Sequence, residues 1–334
     1  MRSTNARSLT KTVLPEYRGV PVLVTGATGF IGRAVCQLLA DSGAEVWAVS
    51  QSDKKLSPLI QAWGGLVRSV VSDLAARGSL SPCYRDARPA VTFNLAGYGV
   101  APNERDARLA DLINAQLPGE LTGLAAEHAD PHWSGHNFVQ VGSGFEYGSV
   151  KTAVMESTPE SPANLYARTK LAGSEQVRQG RAKGAKALVA RVFTVYGPGE
   201  HTHRLLPSLI RTIHAGGSLE LTAGEQERDF TFVGDIAEGL LRLGLLRTGV
   251  PLVNLATGVS TTVRAFAETA IDVAGGNPAH ARFGALPYRS DEVWQGPVNV
   301  ELLKSLLGWV PPTTVRAGII ATNECTSLER AASA

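Results

Sequence analysis

The chain has 334 residues, 44% hydrophobic and 19% charged, with a formal net charge of +2. That length is ample to bury a core and suggests roughly two domains or one large one. A charge so near balance, with no run of five basic residues, argues against nucleic acid or an anionic membrane as partner, and no stretch is long and apolar enough to span a bilayer.

Residues 1–18 read as a flexible leader, and Met1 to Lys11 lack the apolar centre of a secretory signal. From Pro21 the pattern alternates. Val22-Leu23-Val24 predicts a strand, and the turn Thr25-Gly26-Ala27-Thr28-Gly29-Phe30-Ile31-Gly32 follows. Ile31, Val35, Leu38 and Leu39 then recur at helical spacing, Cys36 falls on the apolar side, and Gly43 ends the helix. Val46 to Val49 predicts a second strand, and further apolar runs stand at Ala90–Leu95, Phe138–Val141 and Ala187–Val192. Strand–helix alternation implies an α/β fold, a Rossmann-type doubly wound parallel sheet with helices on both faces. After Gly197, breaks at Pro198, Gly199, Pro207 and Gly216-Gly217 predict a smaller α/β cap, with Val253–Leu255 returning to the main sheet. Residues 19–195 are thus expected to form mainly the dinucleotide-binding domain and 196–325 mainly the substrate cap, and the last ten residues a frayed helix end. Cys36, Cys83 and Cys325 show neither a disulfide framework nor a metal-ligand spacing, so no metal is expected and a reducing, cytoplasmic setting fits.

Three glycines between a strand and a helix suit a dinucleotide. Gly26 permits the tight turn, Gly29 the approach of a pyrophosphate, and Gly32 close packing of helix on strand. Helix N–H groups from Thr28, Phe30 and Ile31 onward then face the phosphates. The spacing is G-x-x-G-x-x-G, and with Val24-Thr25 before it the segment resembles the extended short-chain dehydrogenase/reductase family. That family holds nucleotide-sugar epimerases, dehydratases and ketoreductases.

Tyr166 and Lys170 stand one helical turn apart on one face. A tyrosine near its free pKa of about 10 is a poor base at neutral pH, and a nearby lysine cation stabilises the phenolate. The resemblance makes them a catalytic pair and adds Ser143, in Ser143-Gly144-Phe145-Glu146-Tyr147-Gly148, as the hydroxyl that binds the substrate oxygen. Dehydratases of the family carry Asp-Glu after that hydroxyl residue. Here Gly144 and Phe145 stand there and cannot transfer a proton, which disfavours dehydration. Glu146 is expected on the opposite side of an extended segment, bordering the site with Tyr147 without doing proton chemistry.

In NAD-binding members a carboxylate ends the second strand. Ser50 occupies that position, and Arg33 and Lys54 can supply positive charge, so NADPH (NADP) is expected; the alternative is NAD, with Asp53 reaching back. The resemblance adds cofactor contacts at Asp73 and Leu74, at Leu95, Ala96 and Gly97, at Asn114 and at Val192. Asp73 alone could equally be a helix cap.

On the substrate side, Arg191 to Gly199 resembles R-x-F-N-V-Y-G-P-G, with Thr194 in place of the asparagine. Arg228 begins a segment similar to R-D-F-x-x-V-x-D and is expected on the substrate's phosphates, with Arg289 as a second; the alternative for both is a solvated surface arginine. Asp235 is expected to cap the next helix. Leu307-Gly308-Trp309 with Pro311 matches the family's closing L-G-W-x-P. Tyr98, Gly144, Phe145 and Thr194 complete the substrate contacts, with the loops Tyr98–Pro102 and His201–Arg204 setting sugar specificity. The resemblance implies a nucleotide-diphosphate sugar as partner and a homodimer. The expected reaction is NADPH-dependent reduction of a nucleotide-linked 4-keto-6-deoxy sugar. The alternatives are an NAD-dependent 4-epimerase and a non-catalytic dinucleotide sensor.

Overall fold

Apolar runs pair side by side in the computed structural model of the protein, which describes residues 12–64, 66–101 and 103–333. The first half alternates β1 (Pro21–Thr25), α1 (Phe30–Asp41), β2 (Glu45–Ser50), α2 (Asp53–Trp63), β3 (Leu66–Val71), α3 (Ser81–Ala87) and β4 (Val91–Asn94). Next come α4 (Ala107–Ala110), α5 (Leu117–Glu127), β5 (Phe138–Ser143), α6 (Leu165–Ala182) and β6 (Ala187–Val192). A π-helical stretch, Asp111–Gln116, joins α4 to α5.

The second half contains β7 (Thr194–Tyr196), α7 (Leu205–His214), β8 (Leu219–Leu221), β9 (Glu227–Phe232), α8 (Val233–Gly244) and β10 (Leu252–Leu255). It ends with β11 (Ser260–Thr262), α9 (Val263–Val273), β12 (Ala281–Phe283), α10 (Glu301–Leu307) and α11 (Val315–Ser333).

Seven strands form one parallel sheet in the order β10-β6-β5-β4-β1-β2-β3. Residues of β4, β5, β6 and β10 are buried throughout, as strands covered on both faces require. The edge strand β3 lacks that signal. Its residues are all exposed or half-buried, and Arg68-Ser69 interrupts what would otherwise be an apolar run from Leu66 to Val71. The cap holds a three-stranded sheet, β11-β9-β7, and a two-stranded one, β12-β8. Its own core is aromatic: Tyr196, Phe230, Phe232 and Phe266 cluster, with Phe230 stacked on Phe266 at 3.9 Å.

The leader expected over 1–18 does not extend to its last residues. Tyr17 is fully buried, and its hydroxyl donates to the Leu241 carbonyl at 2.7 Å, so the core already begins at Leu14. Met1 to Lys11 lie outside the described residues. Among the described residues no helix is long and apolar enough to cross a membrane.

A polar ladder ties the strand ends that carry the site. The Thr25 hydroxyl donates to Asn94 Oδ1, Asn94 Nδ2 donates to Gln140 at 2.7 Å, and Gln140 Nε2 donates to the Val141 carbonyl at 3.0 Å. These groups sit inside the sheet, where an unpaired polar atom would be costly; Thr25 and Asn94 find their partners one strand away, and Gln140 closes the ladder on its own strand.

Candidate active site

The glycine turn closes as a cradle. Gly26 has φ +64°, and a Cβ there would lie 2.8 Å from the backbone of Leu95 and Ala96. A Cβ at Gly32 would lie 2.1 Å from the Gly26 carbonyl oxygen, so any side chain would drive α1 off the turn. Gly29 is the N-cap of α1 and supplies no capping side chain, which leaves the first N–H groups of Phe30, Ile31 and Gly32 to an anion. These features fit a dinucleotide pyrophosphate.

Ser50 ends β2 beside the turn, buried, with its hydroxyl 3.5 Å from that of Thr28. Asp53 is turned away to its own helix, where it accepts from the Ser57 hydroxyl at 3.0 Å. Lys54 lies exposed on the first turn of α2. Asp73, beside Leu74, accepts from Gln51 Nε2 at 3.3 Å and from the Ala75 N–H at 3.1 Å, which makes it a turn anchor. Arg33 reaches to the cap and donates to the Gly199 carbonyl at 2.5 Å.

Asn114 sits in the π-helical stretch and clamps the loop after β4. It accepts from Tyr98 N at 2.9 Å and donates to the Tyr98 carbonyl at 2.7 Å and to the Thr169 hydroxyl at 3.0 Å. Glu104 holds the next residues, accepting from the N–H groups of Gly99, Val100 and Ala101 at 2.8, 2.9 and 3.0 Å. Pro102, the last residue of the expected specificity loop, lies outside the described residues. The loop crosses Tyr166: a Cβ on Gly99, at φ +100°, would stand 3.5 Å from its ring.

Helix α6 begins where Asn164 caps it, accepting from Ala167 N at 2.9 Å. Tyr166 and Lys170 follow on its inner face. Burial pushes the Tyr166 phenol up to about 12; a hydrogen bond from Ser143 pulls it down, Glu146 raises it, Arg204 lowers it and Glu104 raises it. Burial draws Lys170 down to about 8 against the opposing pull of Glu146. The lysine ammonium donates to the Val141 carbonyl at 2.6 Å, so it is anchored on the strand that carries Ser143. Phe145 meets Tyr166 edge-on at 6.4 Å. The sequence-predicted Ser143, Tyr166 and Lys170 therefore converge at one place, the end of β5.

Glu146 departs from expectation. The segment after Ser143 is not extended: Gly144–Tyr147 forms a 3-10 turn capped by Ser143. That turn rotates Glu146 inward to full burial, where it accepts from Ser143 N at 2.7 Å and pairs with Arg191 at 2.8 Å. Arg191 is itself fully buried, bridges to Glu160 at 3.0 Å and lies 4.2 Å over the Tyr147 ring. A signal existed: an arginine inside the apolar run Ala187–Val192 requires a buried acid.

Several residues expected on the substrate side lie in the cap. Arg228, on β9, is nearly buried and pairs with Glu292 at 2.5 Å. Arg289 lies exposed three residues before Glu292, in the same loop. Gln295 closes this loop onto the Gly144–Tyr147 turn, donating to the Gly144 carbonyl at 2.7 Å. Thr194 pairs with Phe230 in the cap sheet, and Val192 ends β6 beside Ser143. Asp235 is not a cap. It lies within the first turn of α8 and accepts from both N and Oγ1 of Thr313 at 2.8 Å, pinning the segment before α11. In the second expected loop His201 stacks on His203 at 5.6 Å. Just before them burial pushes the Glu200 carboxyl up to about 7, with Arg204 acting against it from 3.2 Å.

A glycine cradle at the centre of a parallel sheet and a tyrosine–lysine helix beside it define an extended short-chain dehydrogenase/reductase. Residues 22–250 match the model of the NAD dependent epimerase/dehydratase family, and the chain belongs to that family. It is 28% identical over 314 residues to a dTDP-6-deoxy-L-talose 4-dehydrogenase (NAD(P)(+)) of Kitasatospora kifunensis, covering 91% of this chain and 95% of that one. It is 27% identical over 317 residues to a UDP-glucose 4-epimerase of Mycolicibacterium smegmatis, covering 90% and 97%. The solved structure of MoeE5 in complex with UDP-glucuronic acid and NAD aligns with a TM-score of 0.79 at 28% identity, over 92% of this chain and 99% of that one.

Proposed function

We propose that the protein is an NADPH-dependent reductase of the 4-keto group of a nucleotide-linked 6-deoxy sugar. The observation that carries the choice of reductase is Ser50. A buried hydroxyl beside Thr28 stands where an NAD-selective site places a carboxylate, and Asp53 is engaged elsewhere. A serine can donate to a 2′-phosphate, whereas a carboxylate repels it. Lys54, exposed on the first turn of α2, and Arg33, once it leaves the Gly199 carbonyl, are the cations that would meet the 2′-phosphate. The bound nicotinamide supplies hydride chemistry; the residues of the chain do the rest. Ser143 orients the ketone oxygen, and Tyr166, protonated at neutral pH, gives that oxygen its proton. Lys170 holds positive charge near the oxygen as it becomes an alcohol. Gly144 and Phe145 offer no acid or base for eliminating water.

The diphosphate is assigned to Arg228, which must first release Glu292, with Arg289 as the second cation. The similarity to a 4-dehydrogenase of a nucleotide-linked 6-deoxy sugar supports this reading, because oxidation of that sugar at C4 is the reverse of the proposed reduction. A second reading is a 4-epimerase that keeps NAD bound. Its support is the similarity to a 4-epimerase and to a structure holding NAD. Two measurements separate them: identifying the dinucleotide released from purified protein, and following absorbance of NADPH with a set of nucleotide 4-ketosugars. NADPH consumption supports the reductase; bound NAD with no net consumption supports the epimerase and overturns the first reading.

A further inference from the structure

The chemistry above uses Ser143, Tyr166 and Lys170 and leaves the buried Glu146 without a role. Its carboxylate is fully engaged. Oε1 accepts from the Ser143 N–H at 2.7 Å; Oε2 accepts from the Ser174 hydroxyl at 2.9 Å and from Arg191 Nε at 2.9 Å. The backbone is cleared for it, since a Cβ on Gly142 would lie 2.9 Å from Oε1. Three elements meet on this group: β5 through Ser143, α6 through Ser174 and β6 through Arg191. The catalytic residues ride on two of them. Ser143 ends β5, and Tyr166 and Lys170 lie on α6 one to two turns before Ser174.

We propose that Glu146 is a positioning residue of the catalytic group: its carboxylate locks the end of β5 to α6 and keeps the ammonium on Lys170 and the proton on Tyr166. A negative charge in a dry interior favours any protonated neighbour, and both neighbours respond in that sense. The other charges that face this group are known. Arg191 sits on the carboxylate itself, Glu160 holds the far side of Arg191, and Arg204 and Glu104 face Tyr166 from the cap and the loop after β4. Glu146→Gln removes the negative charge and leaves Arg191 less compensated. Both effects make the site more positive, so Lys170 must lose its proton at lower pH and Tyr166 must follow in the same direction.

The test reads Lys170 without substrate, in the full-length protein, and so stands apart from the reductase assignment. Lysine side chains are labelled with carbon-13, the Lys170 resonance is assigned by Lys170→Arg, and its titration is followed by NMR. The expected result is a Lys170 midpoint about one pH unit lower in Glu146→Gln. Ser174→Ala, which removes a donor and keeps the charge, leaves the midpoint in place. An unchanged or higher midpoint in folded Glu146→Gln overturns the proposal. Where that variant does not fold, Arg191→Gln strips the cation from the carboxylate and must move the midpoint upward; no rise in that variant is equally fatal.

Discussion

A phenol kept protonated beside a strand-end hydroxyl is a proton donor in waiting, and its removal has a defined consequence. Tyr166→Phe is expected to lower the rate constant of ketone reduction by about 100-fold or more while the variant still binds NADPH, as stopped-flow NADPH absorbance and fluorescence titration would register. Ser50 carries a separate expectation. Ser50→Asp places a carboxylate against the 2′-phosphate and should raise KM for NADPH by at least roughly tenfold, with KM for NADH unchanged or lower; steady-state kinetics with each dinucleotide decides it. At this scale the sequence was informative where chemistry demands a spacing. Tyr166 and Lys170 are one helical turn apart whatever surrounds them. Glu146 faces inward because of a 3-10 turn, and two marks in the sequence point to it: the capping-box spacing Ser143-x-x-Glu146 and the arginine within β6.

Elements explain how the substrate side is held. Glu292 occupies Arg228 at 2.5 Å, and the loop that carries it is tied to the turn after Ser143 through Gln295. A diphosphate must compete with that carboxylate for one guanidinium. Glu292→Gln is therefore expected to lower KM for the nucleotide sugar several-fold with little change in kcat, read from initial rates; a higher KM would show that the pair positions Arg228 instead of restraining it. Strands β4, β5 and β6, covered on both faces, announce themselves as apolar runs. The edge strand β3 does not, because Arg68-Ser69 splits its apolar residues into two pairs, Leu66-Val67 and Val70-Val71. The π-helical stretch around Asn114 was also beyond reach. It depends on close approach to α6, where a Cβ on Gly173 would lie 2.0 Å from the Asn114 carbonyl oxygen.

Across the whole molecule, the strand–helix alternation made the parallel sheet legible. The pairing of β7, β9 and β11 was not, since these short strands lie far apart in sequence. One buried group should govern how the fold responds to acid. His136, on the loop before β5, is buried with Nε2 unpartnered, and burial, with Arg181 and Lys186 nearby, draws its pKa down from 6.5 to about 4. The unfolded chain then binds a proton that the folded one refuses between those values. Stability should fall as pH drops from 6.5 to 4, by about 3 kcal/mol for this residue alone. Urea unfolding at several pH values should show that slope in the native chain and a shallower one in His136→Phe.

The hydrogen bond from Arg33 to Gly199 joins the first turn of α1, where a dinucleotide is expected, to the loop that opens the cap. Free energy passed through such a bridge is reciprocal, so whichever ligand settles that loop also alters the hold on the other. Titration of each ligand in the presence of the other should therefore show both affinities changed by the same factor. Arg33→Ala should bring that factor towards one.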